Sequence, residues 1–237
     1  MKLAIISDVH GNLHALDAVL DDIAPRGVDA TLSLGDFLSG PYDPVGVADR
    51  LMDLDLLSVR GNHDRYIAEG RDDDWHIDAF VRSELAPRHL DWLRGLPATA
   101  VHADVVLLTH GTPRSDNVGW LDVMESGNAV LQSREHVERE AEGFPYEVLL
   151  CGHTHVPRTV KLGDGRLVVN PGSAGLPFDS GSPDAHYAVI EKRRSGWAVS
   201  LNTVPYDWQA AAKLALDRDL PKWAEVVQSG WLKPREL

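Results

Sequence analysis

The sequence predicts an α/β fold in one domain, and three features of the chain support this prediction. Short apolar runs break into polar loops, and segments with apolar residues at helical spacing follow them. Two β-rich stretches near the C-terminus surround tight turns and indicate hairpins of a second sheet. The 237 residues contain no internal repeat and no low-complexity linker, so a single large domain is the simplest interpretation.

The first part of the chain alternates strands and helices. Strands are predicted at 3–6, breaking at Ser7–Asp8, at 29–37, ending at Gly35–Asp36, and at 56–64, ending at Gly61–Asn62. Helices are predicted between them at 13–23 and 44–55, where Leu, Val and Ile recur at helical spacing. In folds of this kind, ligands bind at the carboxyl ends of the strands.

The pattern continues with less regularity in the rest of the chain. Helices are predicted within 65–97, at 133–143 and in a tail at 206–237, and residues 111–132 are predicted as loop with some helix. Buried strands are predicted at 103–111 and 146–155. Hairpin turns are predicted at Asp164–Gly165 and near Ser195–Gly196.

Composition excludes several classes of protein. The apolar runs are too short to span a bilayer, and the first of them, four apolar residues at 3–6 followed closely by Asp8, is too short for the core of a signal peptide. One cysteine, Cys151, cannot form an intramolecular disulfide, and we expect a cytoplasmic protein. The net charge of −13 makes nucleic acid an unfavourable partner. A small phosphorylated ligand remains compatible with that charge, because a local cation can reverse the potential inside one cleft.

Polar side chains follow five of the predicted strands where each strand ends. A single aspartate in such a place is commonly a helix cap, and a single histidine is commonly a hydrogen-bonded core or surface residue. An ordered series at five strand ends needs another explanation. Imidazole, carboxylate and amide groups in this mixture suit two divalent cations. The residues are Asp8, His10, Asp36, Asn62, His63, Asp64, His110, His153 and His155.

In order, these residues form the strings DVH, GD, GNHD, HG and GHTH. The set resembles the signature of the calcineurin-like metallophosphoesterases, in the branch of small prokaryotic phosphodiesterases and dinucleoside tetraphosphatases, over about residues 3–175. The resemblance implies a four-layer α/β/β/α sandwich of two mixed β-sheets flanked by helices. The two late hairpins are expected in the second sheet, and the Gly- and Pro-rich stretch 170–179 is expected to pack under the site.

The same resemblance assigns roles to the residues. Asp8, His10 and His155 would hold one metal, Asn62, His110 and His153 the other, and Asp36 would bridge both. Two ions about 3.5–4 Å apart would share a bridging hydroxide that attacks phosphorus in line. His63 would protonate the leaving oxygen as general acid, with Asp64 orienting its ring.

Metal identity and substrate contacts are less constrained by the sequence. Mixed nitrogen and oxygen ligands accept Mn, Fe, Co, Ni or Zn, and we expect Mn. Arg65 and Arg114 follow ligand segments and are candidates for binding a phosphate oxygen. Residues 65–100 and 111–130 are predicted to form the cap over the site.

The predicted function is therefore two-metal hydrolysis of small phosphodiesters or nucleotides. Dinucleoside tetraphosphate hydrolysis and phosphoprotein or phosphomonoester hydrolysis are the alternatives. A nuclease is less favoured because of the net charge of −13. A non-catalytic scaffold is less favoured because the complete ligand set and His63 are present. The sequence leaves a homo-oligomer open.

Overall fold

Two five-stranded mixed sheets form the centre of the structure, a computed structural model that describes residues 1–71, 76–125, 128–178 and 181–231. The first sheet has the spatial order β12 (Gly196–Val204), β11 (Ala185–Arg193), β1 (Lys2–Ile6), β2 (Ala30–Ser33) and β3 (Leu57–Ser58). The second has the order β4 (Thr99–His102), β5 (Val106–Thr109), β8 (Val148–Leu150), β10 (Leu167–Asn170) and β9 (Arg158–Lys161). A separate hairpin pairs β6 (Asp122–Glu125) with β7 (Asn128–Leu131).

The strands that precede the polar loops are parallel within each sheet. β1 pairs with β2 and β2 with β3 in the first sheet, whereas β5 pairs with β8 in the second. Parallel neighbours bring their carboxyl ends to one edge of a sheet. The polar loops after these strands therefore start from common edges, as the sequence predicts.

Helices cover the outer faces of the sheets. They are α1 (Leu13–Ile23), α2 (Pro44–Leu54), α3 (Asn62–Glu69), α4 (Ile77–Glu84), α5 (Pro87–Gly95), α6 (Arg134–Glu140), α7 (Trp208–Asp217) and α8 (Pro221–Ser229). The N-cap of α1 is Asn12, whose side chain accepts a hydrogen bond from the Ala15 amide at 3.2 Å. The N-cap of α2 is Asp43, followed by proline at the first helical position.

Side-chain alternation along β1 explains the layers. Ala4 and Ile6 face the helices and belong to a core that includes Leu16 of α1 and Val47 of α2. Leu3 and Ile5 face the second sheet in a core with Leu32, Leu108, Val148 and Val169. The other face of the second sheet packs against α6 through Leu107, Leu149, Val168 and Val137. The predicted four-layer α/β/β/α sandwich is confirmed.

Two details of the predicted topology are wrong. Residues 111–121 form the predicted loop, but the β6–β7 hairpin follows it and the described residues of 111–132 contain no helix. The hairpin β11–β12 joins the first sheet, where β11 pairs antiparallel with β1, and only β9–β10 joins the second. Each hairpin was recognisable locally, but the choice of neighbouring sheet is a tertiary contact that the local pattern does not encode.

The segment 65–100 is built into the helical layer. It supplies most of α3, all of α4 and α5, and the first residues of β4. Ile67, Val81 and Leu93 are fully buried in the same core as α1 and α2. Within the described residues, no helix is long and apolar enough to span a bilayer. The helical tail is seen as α7 and α8, and residues 232–237 lie outside the described part.

Candidate metal centre

The loops after β1, β2, β5 and β8 converge and are joined through their backbones. The Asp8 amide donates to Gly35 O at 3.0 Å, and the His10 amide donates to Asp36 O at 3.0 Å. Between the second-sheet loops, the Gly152 amide donates to His110 O at 2.6 Å. Within each pair of loops, these bonds fix the spacing between side chains that come from different strands.

The backbone of this region is unusual at the candidate ligands themselves. Five of them adopt positive φ: Asp8 (55°), His10 (49°), Asp36 (53°), His153 (67°) and His155 (60°). A residue with a Cβ in this conformation is destabilised, by on the order of 1 kcal/mol or more. Strain concentrated in one set of polar side chains indicates that their directions are under functional constraint.

Asp8, His10 and His155 form one group of converging ligand atoms, and all three side chains are buried. His10 Nδ1 lies 2.7 Å from Ser39 O, and His155 Nδ1 lies 2.7 Å from Leu176 O. Each Nδ1 must carry a proton to donate to its carbonyl, so each Nε2 presents a lone pair when the ring is neutral. The two Nε2 atoms nevertheless lie 3.1 Å apart.

Two lone pairs at that distance need a positive charge between or beside them. A proton is a poor candidate near neutral pH, because burial lowers the pKa of both His10 and His155 to about 4. Asp8 Oδ1 adds a third acceptor, 3.4 Å from His155 Nε2 and 3.9 Å from His10 Nε2. Among the described residues it has no hydrogen-bond donor. The donor set therefore fits a divalent metal ion, with the carbonyl-bound rings held as ligands.

Asp36, His110 and His153 form the second group. His110 donates through Nδ1 to Leu34 O at 2.8 Å, and its Nε2 lies 3.0 Å from Asp36 Oδ2. Burial opposes the charge on both side chains, but each stabilises the other. Asp36 raises the pKa of His110 to about 10, and His110 holds the pKa of Asp36 well below its usual range. Without metal, a proton therefore occupies this position.

Asn62 belongs to the same group. Its amide oxygen lies 3.0 Å from His153 Nδ1 and 3.3 Å from His110 Nε2, so it faces the same two rings. Burial lowers the pKa of His153 to about 3, so that ring is also neutral. A second divalent ion would satisfy these acceptors together. All seven predicted ligands thus lie in two adjoining groups.

Asp64 does not lie against the His63 ring, contrary to expectation. Its Oδ2 accepts from the Asp36 and Gly61 amides, each at 2.8 Å, and its Oδ1 accepts from the Phe37 amide at 2.9 Å. Burial and the charge of Asp36 raise the pKa of Asp64 to about 7, although the three amides favour the anion. The structure makes Asp64 a clamp between the Asp36 and Gly61 loops.

The carboxylate beside His63 comes from elsewhere. His63 Nδ1 lies 2.8 Å from Oδ2 of Asp78, in α4, and 3.2 Å from Ser39 Oγ. Asp78 escaped the sequence analysis because it follows no strand and matches no motif. An acidic residue in the first turn of a helix is ordinary, so its sequence position carried no signal.

Both candidate arginines are bound to other groups of the protein. Arg65 makes two parallel hydrogen bonds to Asp116, at 2.7 and 2.8 Å, which raise its pKa further above the usual range. Arg114 donates to the carbonyls of Glu140 at 2.9 Å and Glu142 at 2.7 Å. The expectation that Arg65 and Arg114 bind substrate is not supported by these contacts.

The stretch 170–179 packs against the loops that carry the candidate ligands, as predicted, although Asp179 lies outside the described residues. Ser173 Oγ donates to Asp8 O at 2.7 Å, and Leu176 supplies the carbonyl that holds His155. Asn170 Nδ2 donates to Gly152 O at 2.8 Å. This loop therefore fixes residues from two different ligand strings.

Comparison with known proteins agrees with the geometry. Residues 1–195 match the calcineurin-like phosphoesterase superfamily domain. The uncharacterized protein MJ0912 of Methanocaldococcus jannaschii is 27% identical, covering 93% of this chain and 94% of that protein. Phosphodiesterase YfcE of Escherichia coli is 29% identical, covering 81% and 88% respectively. The crystal structure of a metallophosphoesterase from Sphaerobacter thermophilus superposes with a TM-score of 0.78 at 26% identity, covering 97% of this chain and 100% of that one.

Proposed function

The chain belongs to the calcineurin-like phosphoesterase superfamily and is a metal-dependent phosphoester hydrolase, and we propose that it uses two divalent ions to hydrolyse small phosphodiesters or nucleotides. The observation that carries the proposal is the 3.1 Å approach of the His10 and His155 Nε2 atoms beside Asp8. A phosphodiester is the first substrate class to test, because the Escherichia coli relative is named a phosphodiesterase.

In this proposal each ion has its own ligand group. Asp8, His10 and His155 would hold one ion, and Asn62, His110 and His153 the other. Asp36 would bridge them, and its Oδ2 lies 3.0 Å from His110 Nε2. Oδ1 of Asp36 accepts from the His63 amide at 3.0 Å, so the bridging carboxylate is also tied to the start of α3.

When bound, two such ions supply Lewis acidity that activates water and neutralises phosphate charge. We propose Mn²⁺, and Fe, Co, Ni and Zn suit the same nitrogen and oxygen ligands. The protein contributes the fixed ligand directions, through the carbonyls of Ser39, Leu34 and Leu176 on the imidazole Nδ1 atoms.

His63 is proposed as the general acid that protonates the leaving oxygen. Its ring lies beside the first ligand group, with its centroid 5.7 Å from that of His10. The side chain is 12% exposed, unlike the fully buried Asp78 behind it, so it lies at the solvent boundary of the centre. A group that donates a proton to substrate must reach it within hydrogen-bond distance, and this boundary position suits that task.

Charge favours a small substrate held mainly by the metal centre. The chain carries −13 overall, which repels long polyanions, and Arg65 and Arg114 are engaged by other groups of the protein. Attraction for a phosphate would then come from the two ions. This argument also disfavours a nuclease.

A turnover screen tests the proposal. Metal-stripped protein reloaded with Mn²⁺ would be assayed on bis-p-nitrophenyl phosphate, p-nitrophenyl phosphate, cyclic nucleotides and diadenosine tetraphosphate. We expect metal-dependent turnover that Asp36→Asn abolishes and that Asp164→Asn, in the exposed β9–β10 turn, leaves unchanged. Turnover of the monoester or the tetraphosphate above the diesters would select an alternative substrate class. If the protein with bound metal turned over none of these substrates, the proposal would be overturned.

A further inference from the structure

Asp78 is a fully buried carboxylate outside the two ligand groups. It lies in the first turn of α4, and its Oδ2 is 2.8 Å from His63 Nδ1. Its other oxygen, Oδ1, is buried and has no hydrogen-bond partner among the described residues. Stability alone does not account for such a group, because a buried carboxylate with an unsatisfied oxygen is destabilising.

The protein holds α4 firmly in the position that delivers this carboxylate. Ile77 and Val81 flank Asp78 on the helix and are buried in the main core. Arg82 of the same helix donates to the carbonyls of Ile67 and Ala68, in the last turns of α3. Because α3 begins at Asn62–His63, these contacts fix the carboxylate relative to the imidazole.

Asp78 is a stronger partner of His63 Nδ1 than Ser39 is. The Ser39 hydroxyl is more distant, at 3.2 Å, and uncharged. A hydrogen bond to an ionised carboxylate is roughly twice as strong as one between neutral groups. An imidazole whose Nδ1–H donates to a carboxylate presents Nε2 on the opposite side of its ring.

We propose that Asp78 is a positioning residue. It holds the Nδ1–H of His63 and so aims Nε2 at the leaving oxygen, which takes the Nε2 proton of the doubly protonated ring and leaves the ring neutral with its Nδ1 proton in place. The proposal rests on the proposed function, in which His63 is the general acid. It assigns to α4, a helix of the segment 65–100, a role in the reaction that none of the strand-end motifs supplies. Asp78 acts through His63 and contacts neither substrate nor metal.

The kinetic test uses two diaryl phosphates, diphenyl phosphate and bis-p-nitrophenyl phosphate, which differ in leaving-group quality. We expect Asp78→Asn to lower turnover of the phenyl ester about 10- to 100-fold and of the activated ester less than about 3-fold. The double variant with His63→Ala should be no slower than His63→Ala alone. Equal losses on both esters, additive losses in the double variant, or no loss would overturn the proposal.

Asp49→Asn is the matched control, because Asp49 Oδ1 lies 2.9 Å from Nε2 of the buried His89. This is another histidine–aspartate pair, formed between α2 and α5 and away from the ligand groups. It should leave the ratio of the two turnover rates unchanged. A change as large as that of Asp78→Asn would show that the ratio reports general destabilisation and would overturn the proposal.

A second readout does not depend on turnover. In ¹⁵N-labelled, metal-free protein, the His63 ring signals are identified by their loss in His63→Ala. We expect Nδ1 to carry a proton in the unmodified chain, and an unprotonated Nδ1 would overturn the proposal even if Asp78→Asn does not fold. Absence of all turnover combined with a protonated Nδ1 would reject the proposed function and leave the positioning of His63 supported.

Discussion

Replacing Asp64 distinguishes a structural clamp from a group that orients His63. Asp64→Asn keeps the shape of the side chain but puts an NH2 group where one carboxylate oxygen stood. In the most favourable orientation of the new side chain, the remaining oxygen still accepts hydrogen bonds from the Asp36 and Gly61 amides, both at 2.8 Å. The NH2 group then faces the Phe37 amide, which is also a donor. The buried Phe37 amide then has no acceptor, the new NH2 group is a second donor facing it, and the other two bonds lose their ionised partner.

The structure sets the size of the effect. A buried donor without a partner costs about 1–3 kcal/mol, and weaker bonds at the other two amides add to this. We expect a loss of about 2–4 kcal/mol in the free energy of unfolding. For a chain of this length that corresponds to a fall of roughly 5–15 °C in Tm.

Thermal unfolding of the metal-free variant, followed by circular dichroism, measures the loss. Phenyl and p-nitrophenyl diesters then test whether the surviving folded protein has a changed leaving-group dependence, which we expect to be small. Unchanged Tm together with the leaving-group dependence of His63→Ala would refute the clamp and restore Asp64 as the partner of His63.

His63→Ala should lower turnover of poor leaving groups about 100- to 10,000-fold and of activated esters far less, and equal losses would remove the general-acid role. In metal-free protein, the pKa of His10 and His155 lies near 4, below the ordinary value of 6.5, so the unfolded chain binds more protons in between. These two groups should therefore make the protein less stable as pH falls from 6.5 towards 4, whereas Asp64, whose pKa is raised to about 7, acts in the opposite direction. In urea titrations over this range, a His155→Asn variant should lose less stability than the unmodified chain, and equal losses would contradict the burial argument. Gly175→Ala would place a Cβ 1.8 Å from Val9 O, so the loop would have to move away from the proposed ligand Asp8. We expect mass spectrometry to show that this variant loses bound metal. An unchanged metal content would show that the loop tolerates the displacement.

Much of the centre could be predicted because its residues follow buried strands. The apolar run 3–6 fixes where Asp8 must emerge, and the run before His153 does the same on the second sheet. Parallel pairing brings the ends within each sheet to one edge, and packing of the two sheets against each other brings the two edges together. The division into two ligand groups was implied by the family resemblance of the ordered motif set.

The contacts that could not be predicted are tertiary. Asp78 contacts His63 from another helix, 15 residues later in the chain, and Arg65 binds Asp116, 51 residues later. Local spacing carries no record of either contact. The β6–β7 hairpin was also missed, since Val130 and Leu131 of β7 are both exposed and show none of the alternation that marks a half-buried strand.

The central claim is that two metal ions share Asp36. Electron paramagnetic resonance of the protein loaded with Mn²⁺, with metal content measured on the same sample, tests it most directly. We expect two ions per chain and the multiline signal of a coupled pair, which Asp36→Asn removes. One ion per chain, or two ions giving only the six-line signal of isolated Mn²⁺, would contradict the two-metal centre.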